Sequence, residues 1–395
     1  MHEISRVEMS SIPQPSITKL FTSFLRLGAT AFGGPAMVAY IRKMVVEKNR
    51  WLDAETFGEG VALCQMIPGA TAMQTAAYVG LKTRGVIGAI ASFVGFGLPA
   101  FFLMIVFASL YASTHTIPTV VSVFNGLQAI IVAIIANATI SFGKRTVNDW
   151  RSIVIAGIAA ALFGLYVNPI FVILVAAVWG LALVKTKQPN PLHPVSIQAL
   201  SYTKPILLIL SSSAIALFLL FFLNRTLFNL AVLMFRIDLF AFGGGFASVP
   251  LMFHEVVEVH NWMDKMTFVN GIVLGQVTPG PIVITATFIG YLLCGLPGGV
   301  IATISIFLPS FIIVVGISPF FSRLRISPYF NKILEGILCS FVGLLFAVTI
   351  RFALNVHWDL VHILLASSAL VALLLKVDIL WIVLIGTIIS VIMFI

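Results

Sequence analysis

Charged side chains are scarce in this sequence. Asp, Glu, Lys and Arg together supply 9% of its 395 residues, far below the quarter or so that is usual in soluble domains. Hydrophobic residues supply 60%, and the mean hydropathy is +1.09. Long apolar runs recur from Leu20 to the C-terminus. The composition therefore predicts an all-α protein that crosses a lipid bilayer several times and excludes an ordinary soluble fold.

Cysteines and catalytic signatures are also lacking. The three cysteines, Cys64, Cys294 and Cys339, lie in apolar surroundings without the spacing of a disulfide framework or a metal site. There is no Gly-x-Ser-x-Gly sequence, no pair of catalytic aspartates and no His/Glu metal pattern. We therefore expect neither an enzyme nor a bound metal or cofactor.

The net charge of +9 does not indicate a nucleic-acid partner. The basic residues lie in short loops between apolar runs, which is typical of the positive-inside rule for membrane proteins. The first twenty residues lack the pattern of a cleaved signal peptide. We expect the N-terminus to be retained in the cytoplasm.

Apolar segments of membrane-spanning length divide the chain into thirteen elements. They are predicted near residues 18–45, 56–81, 86–112, 118–142, 151–166, 169–185, 204–223, 226–253, 266–293, 296–321, 329–353, 358–376 and 378–395. The resulting organisation is a cytoplasmic tail (1–17), a first membrane repeat (18–186), a linker with one transmembrane helix (187–225) and a second membrane repeat (226–395).

The two repeats are related by sequence. The segment "AFGG" at 31–34 recurs at 241–244, and "WLDAETFGEGVALCQMIPG" at 51–69 matches "WMDKMTFVNGIVLGQVTPG" at 262–280. The single extra crossing between the repeats predicts that they are inverted, as in many secondary transporters. The basic loop 42–50 would lie outside if every element crossed, so the charge distribution favours re-entrant or half-length first elements.

Each repeat has two predicted helix breaks. One is the glycine run before residue 35 or 246, and the other is a Pro-Gly pair that follows a glutamine. Broken helices expose backbone N–H groups and a partial positive charge, which suit an anion. The candidate binding residues at these breaks are Gly33, Gly34, Gln65, Pro68, Gly69, Gly243, Gly244, Gly245, Gln276, Pro279 and Gly280. The two glutamines either bind ligand oxygens or tie helices together.

Arg26 and Arg236 stand six residues before Phe32 and Phe242, the phenylalanines that precede the equivalent glycine runs. A buried arginine in a membrane is costly, so such residues usually face a polar pathway, and the guanidinium fork suits oxyanions. Snorkelling is the alternative for Arg26. Asp238, two positions beyond Arg236, does not face it on a regular helix. Asp238, Glu59 and Glu335 are candidate proton carriers, whereas Glu258, His254 and His260 are expected to face water.

These duplicated FGGP and PGP-type segments resemble those of the chromate ion transporter family. Phe32-Gly33-Gly34-Pro35 and Pro68-Gly69 match the motifs in the first half, and Phe242-Gly243-Gly244 and Pro279-Gly280-Pro281 match them in the second. Gly245 and Ala70 depart from the pattern, each in place of a proline.

The resemblance implies a carrier of the bacterial inner membrane that exports chromate, a tetrahedral dianion, and confers chromate resistance. A carrier of sulfate or another oxyanion and an anion channel are the alternatives. Protons are candidate coupling ions, and a homodimer is left open.

Overall fold

The computed structural model describes residues 14–32, 34–183 and 203–394, which form helices and turns without a strand. The predicted tail up to residue 13, the break residue Gly33 and the linker residues 187–202 lie outside the described residues. Five of the helices are long and apolar enough to cross a membrane: Thr71–Thr114, Pro118–Thr146, Lys204–Leu223, Ile282–Phe320 and Pro328–Ala353. The prediction of an all-α membrane protein is confirmed.

The described residues of the first half form seven helices. They are α1 (Ile17–Thr30), α2 (Gly34–Arg42, continued by a π-helical turn Lys43–Lys48), α3 (Ala54–Met66), α4 (Thr71–Thr114), α5 (Pro118–Thr146), α6 (Trp150–Gly164) and α7 (Pro169–Leu183). Helix α8 (Thr203–Leu223) comes next in the sequence, between the two halves. The predicted breaks at the glycine run and at Pro-Gly are therefore present, between α1 and α2 and between α3 and α4.

The second half repeats this order. Its helices are α9 (Arg225–Phe240), α10 (Ser248–Phe253, with a 3-10 turn Gly245–Ala247 before it and a π-helical turn His254–Val259 after it), α11 (Lys265–Val277), α12 (Thr285–Ile317, after the 3-10 turn Ile282–Ile284), α13 (Phe321–Ile326, after the 3-10 turn Ser318–Phe320), α14 (Pro328–Ala353), α15 (Leu360–Leu374) and α16 (Ile379–Phe394).

Helices α3 and α11 begin at matching aspartates. The side chain of Asp53 accepts a hydrogen bond from the backbone N–H of Thr56 at 2.7 Å, and Asp264 accepts one from that of Thr267 at 2.9 Å. Such caps satisfy N–H groups that a first helical turn leaves without a partner. The repeated Trp-x-Asp-x-x-Thr sequence thus sets the start of the same helix in both halves.

The segments on either side of each Pro-Gly pair fold back on one another. A Cβ atom built on Gly60 of α3 would lie 2.2 Å from the ring of Tyr78 in α4, and one on Gly271 of α11 would lie 2.5 Å from the ring of Phe288 in α12. Residues before and after the break therefore lie side by side. These segments are therefore re-entrant: they enter the membrane and return to the side from which they came, as the distribution of charged loops predicts.

A second reversal follows inside α4 and α12. Gly85 and Gly295 have φ of +64° and +63°, a conformation that favours glycine, and the chain turns back there. The Ser92 hydroxyl donates to the carbonyl of Ala76 across this turn at 2.7 Å. Residues 86–114 then form the first long crossing of the half, which agrees with the separate predicted element 86–112.

The two halves run in opposite directions. Residues 86–114 of α4 pack antiparallel to α12, since Phe93 contacts Phe307 and a Cβ on Gly299 would lie 2.6 Å from Ile105. Thr139 and Thr349, which are repeat equivalents, lie 3.3 Å apart between their hydroxyl oxygens. Equivalent residues meet in this way at a pseudo-two-fold axis, so the repeats are inverted.

The short helices α6 and α7 pack against α14 of the other half. A Cβ on Gly343 would lie 2.1 Å from the carbonyl of Ala156, and one on Gly180 would lie 2.4 Å from the carbonyl of Lys332. Arg351, near the end of α14, contacts the carbonyl of Phe163 near the end of α6. Helix α6 therefore runs alongside α14 and α7 runs back along it, so α7 ends on the side of the molecule where α6 begins.

Cysteine labelling tests this topology. In a chain with Cys64, Cys294 and Cys339 replaced by alanine, we expect Lys48→Cys and Val259→Cys to react with a membrane-impermeant maleimide from opposite faces, because inverted repeats place equivalent loops on opposite sides. Labelling of both positions from one face would contradict the inverted arrangement.

Candidate functional site

The helix breaks of the two halves are joined by a reciprocal pair of hydrogen bonds. The backbone N–H of Gly69 donates to the carbonyl of Ala241 at 2.9 Å, and that of Gly280 donates to the carbonyl of Ala31 at 3.1 Å. Each Pro-Gly break thus satisfies a carbonyl freed by the glycine-run break of the other half. All four breaks meet at one place in the molecule.

The two glycines are required by conformation and by space. Gly69 and Gly280 have φ of +113° and +119°. A Cβ atom at Gly69 would lie 1.8 Å from the hydroxyl oxygen of Ser310, and one at Gly280 would lie 2.9 Å from Cβ of Ala100. Any side chain there would separate the halves, which explains the glycine after each proline.

Two helical segments begin where the breaks meet. Helix α4 starts at Thr71 with no side-chain cap on its first N–H groups, and the 3-10 turn before α12 starts at Ile282, also without one. Each start comes two residues after the glycine of a predicted Pro-Gly break. Free N–H groups and the helix dipole make such ends favourable for anions.

The glycine run of the second half lies against both of these helix starts. A Cβ at Gly244 would lie 3.4 Å from the Thr71 hydroxyl oxygen, and one at Gly245 would lie 3.2 Å from side-chain carbons of Ile282 and Val283. Gly243 lies under the ring of Phe142. The predicted residues Pro68, Gly69, Gly243, Gly244, Gly245, Pro279 and Gly280 are therefore brought together.

Arg26 lies on an exposed polar face of α1. The buried residues of this helix, Leu20, Phe24 and Gly28, occupy the opposite face and pack against residues 86–114. The polar face is formed by Lys19, Thr22, Ser23, Arg26 and Thr30, and all of these except the half-buried Ser23 are exposed. No ion pair joins Arg26 to a residue that the structure describes.

Arg236 occupies the equivalent position in α9 but has a partner. Its Nη2 forms an ion pair with Glu255 of the π-helical turn, whose side chain is 4% exposed. Nineteen residues separate the two, roughly 28 Å along a straight helix. Their contact shows that the segment after the glycine run returns beside α9. Glu255 was not identified from the sequence as the partner of Arg236, because the sequence does not show that this segment folds back.

A second ion pair lies beside the first, on the same π-helical turn. Arg351 contacts both Glu258 and the carbonyl of Phe163, and Nδ1 of His254 lies 2.9 Å from the other carboxylate oxygen of Glu258. His254 is 5% exposed. The expectation that His254 and Glu258 face water is therefore wrong: the π-helical turn faces α6 and α14. His260 is exposed, as predicted.

Asp238 is fully buried and does not contact Arg236. Its Oδ2 accepts hydrogen bonds from the backbone N–H of Ser310 at 2.9 Å and from the Ser310 hydroxyl at 2.6 Å. Its Oδ1 has no partner among the described residues. The separation of Asp238 from Arg236 agrees with helical geometry, whereas Ser310, 72 positions away, was not identified from the sequence.

The other candidate carboxylates are less closely connected to the breaks. Glu59 and Glu335 are half-buried, and neither forms an ion pair within the described ranges. Asn270, the counterpart of Glu59, donates a hydrogen bond to Tyr111 and accepts one from Gln128. That position in the second half holds helices together.

The glutamines before the breaks differ between the halves. Gln65 is exposed, whereas Gln276 is half-buried with its amide nitrogen unpartnered among the described residues. Gln74, one turn into α4, donates to the carbonyl of Pro68 and leaves its own amide oxygen unpartnered. Gln74 thus satisfies a carbonyl freed by the break.

No metal centre is present in the parts of the chain described. They contain no group of three or more His, Cys, Asp or Glu side chains arranged to hold a metal ion. The polar groups at the breaks are mainly backbone N–H donors.

Comparison with known proteins agrees with this architecture. The model of the chromate transporter family matches residues 18–181 and 228–391. These two segments are 210 positions apart, which is the spacing of the internal repeat. No solved structure matches the chain.

Full-length relatives match nearly the whole chain. An uncharacterized transporter of Methanocaldococcus jannaschii is 42% identical over 98% of this chain and 96% of its own length. A chromate transport protein of Cupriavidus metallidurans is 30% identical over 92% of this chain and 89% of its own. A probable chromate transport protein of Synechococcus elongatus is 28% identical over 91% and 90%. The chain is a multi-pass membrane protein that belongs to the chromate transporter family.

Proposed function

We propose that this protein exports chromate, or a tetrahedral oxyanion of the same charge, through a site where the four helix breaks meet. The observation that carries this proposal is the reciprocal hydrogen bonding of Gly69 to Ala241 and of Gly280 to Ala31, because it places two helix starts together. The family to which the chain belongs supports a transporter rather than an enzyme.

The groups around the breaks favour a dianion. Backbone N–H groups at helix starts bind oxyanions well, and Arg26 lies five residues before Ala31, about 8 Å along the helix. The fork of guanidinium donors matches two oxygens of a tetrahedral anion. Arg236 is a second cation, held in the present conformation by Glu255.

The two halves pack differently, which supports alternating access. Every residue from 247 to 257 is buried, whereas only Met37, Ile41 and Val45 are buried in the equivalent stretch 36–46. A polar face such as that of α1 is unfavourable in lipid, so we infer that it borders a water-filled crevice. The crevice is open beside the first half and closed beside the second.

The open side is assigned to the cytoplasm. Arg84 donates to the carbonyl of Pro15, so the start of α1 lies beside the turn at Gly85. Basic residues are concentrated on this side, as the positive-inside rule requires of a cytoplasmic face. They are Lys19, Arg42, Lys43, Lys48, Arg50, Lys82, Arg84, Lys144 and Arg145. The conformation described is then inward-open.

Export from such a state is energetically favourable. Two negative charges leaving a cell held at about 150 mV, negative inside, gain roughly 7 kcal/mol. This gain supports a concentration ratio of about 10⁵. Uptake against the same potential would need additional cations.

Sulfate has the same shape and charge as chromate. The backbone donors at the breaks are suited to either ion, so substrate preference is an outcome of transport assays. We expect saturable chromate flux in vesicles, with sulfate as a competitor. Flux that rises linearly with chromate concentration would instead indicate the anion channel.

Removing the charge of Arg26 tests the site. We expect Arg26→Gln to weaken chromate transport roughly tenfold to a hundredfold, since a charge-assisted hydrogen bond contributes about 1.5–3 kcal/mol. Arg26→Lys should retain more activity. The measurement is chromate accumulation in inverted vesicles.

Lys204→Gln is the matched control for Arg26→Gln, because Lys204 is an exposed cation on α8 and is expected to be neutral. Unchanged transport in Arg26→Gln would place the anion elsewhere.

Releasing Arg236 tests the closure of the second half. We expect Glu255→Gln to favour the outward-open state, because it removes the charge that holds Arg236 to the π-helical turn. A cysteine at the buried Val257 should then react several-fold faster with an external maleimide, and a cysteine at the exposed Ala36 should react more slowly from inside.

Glu47→Gln is the control for Glu255→Gln: Glu47 is exposed, lies in the equivalent turn of the first half and has no ion pair among the described residues. Labelling rates at Val257 and Ala36 that both stay constant in Glu255→Gln would show that this ion pair does not control access.

A further inference from the structure

We propose that Asp238 is a protonation site linked to oxyanion binding through Ser310, so that the protein takes up a proton when the dianion binds. The inference deepens the proposed function and rests on it. It begins from a chain of three groups: the Asp238 carboxylate, the Ser310 hydroxyl and the backbone N–H of Ala70.

The chain is continuous and buried. The Ser310 hydroxyl donates to Oδ2 of Asp238 at 2.6 Å and accepts a hydrogen bond from the N–H of Ala70 at 3.3 Å. Asp238 and Ser310 are each 0% exposed, and Ala70 is 1% exposed. Ala70 is the residue that precedes helix α4 at the Pro-Gly break. The carboxyl group is therefore linked by two hydrogen bonds to the residue just before helix α4, beside the proposed anion site.

The symmetry-related positions lack every member of this set of three groups. The positions equivalent to Asp238, Ser310 and Ala70 are Gly28, Ala100 and Pro281. Proline has no N–H to donate, and alanine has no hydroxyl to accept. The exchange of proline for alanine at residue 70 thus accompanies the two polar residues that use its N–H. This set of three hydrogen-bonded groups occurs once in the pseudo-symmetric structure, so we expect one proton to be taken up per protein molecule.

The surroundings of Asp238 disfavour a negative charge. Its Oδ1 is buried without a partner among the described residues, and an unsatisfied buried carboxylate is costly. Helix α9 packs on α12, α8 and α10. The titratable or charged side chains of α12 are Tyr291 and Cys294, the only one of α8 is Lys204, and α10 has none.

Of the charged groups on α9 itself, Arg225 lies over the ring of Phe221 and is thirteen positions from Asp238, roughly 20 Å along the helix. Arg236, on the same helix, contacts Glu255, and Glu258 of the same turn contacts Arg351 and His254. No described cation therefore compensates an ionised Asp238.

The linkage follows from charge. A dianion bound at the break repels an ionised carboxylate two hydrogen bonds away, whereas a neutral carboxyl group does not oppose it. By reciprocity, protonation of Asp238 strengthens oxyanion binding and the bound oxyanion strengthens proton binding. Export would then move one negative charge per cycle rather than two.

Proton uptake on binding is the direct test. Purified protein in detergent is titrated with sulfate, which remains a dianion from pH 6 to pH 8, and the protons taken up are obtained from binding heats in buffers of different ionisation enthalpy. We expect close to one proton per sulfate once Asp238 is ionised in the free protein. Sulfate affinity should weaken as pH rises, by at most tenfold per pH unit.

Asp238→Asn should retain sulfate binding while losing proton uptake and pH dependence. Glu59→Gln and Glu335→Gln are matched controls that should behave as the parent protein does. Full proton uptake in Asp238→Asn, or its loss in either control, would overturn the assignment.

Ser310→Ala provides a second test of the role of Asp238, which remains valid if Asp238→Asn does not fold. It removes one donor to the carboxylate, so Asp238 should stay protonated to higher pH and the weakening of sulfate affinity should begin at higher pH. A pH profile identical to that of the parent would overturn the proposal.

Failure of the proposed function gives a different result. A parent protein that binds neither sulfate nor chromate would show that the oxyanion site itself is wrong. Binding without proton uptake would retain that site and reject only the role of Asp238.

Discussion

The structure depends on satisfying backbone groups that are freed within the membrane. Lipid offers no hydrogen bonds, so a broken helix is stable only if its free N–H and C=O groups find partners in protein or water. Here the breaks satisfy one another: Gly69 donates to Ala241, and Gly280 donates to Ala31. This exchange requires two glycines with positive φ and no side chain, and it holds the inverted halves together at their centre.

The same exchange gives each half a helix start that points into the protein. What differs between the halves is the packing around this shared centre. The second half is closed by Glu255 and Glu258, which hold Arg236 and Arg351, whereas the equivalent segment of the first half lies open beside a polar face. Inverted repeats of related sequence can exchange such arrangements, which is a simple physical basis for alternating access.

Buried charge in this protein is used sparingly and mostly on one side of the pseudo-symmetry. Asp238, Glu255 and Glu258 all belong to the second half. Asp238 accepts a hydrogen bond from Ser310, and the two glutamates form ion pairs with arginines. The first half has glycine, methionine and an exposed glutamate at the equivalent positions. The cost of burying a charge depends on its partners. The paired buried carboxylates are therefore confined to the second half, and the first half has a polar face that is exposed.

Much of this architecture could be predicted from the sequence. The apolar runs determined the membrane class, the 210-residue repeat determined the two halves, and the glycine and Pro-Gly segments determined where helices break, because helix propensity and backbone chemistry are local. Tertiary structure alone decided that the glycine-run segment returns beside α9, so that Arg236 meets Glu255, and that Asp238 meets Ser310. Those contacts join residues 19 and 72 positions apart, and their cost or benefit depends on burial that no local pattern encodes.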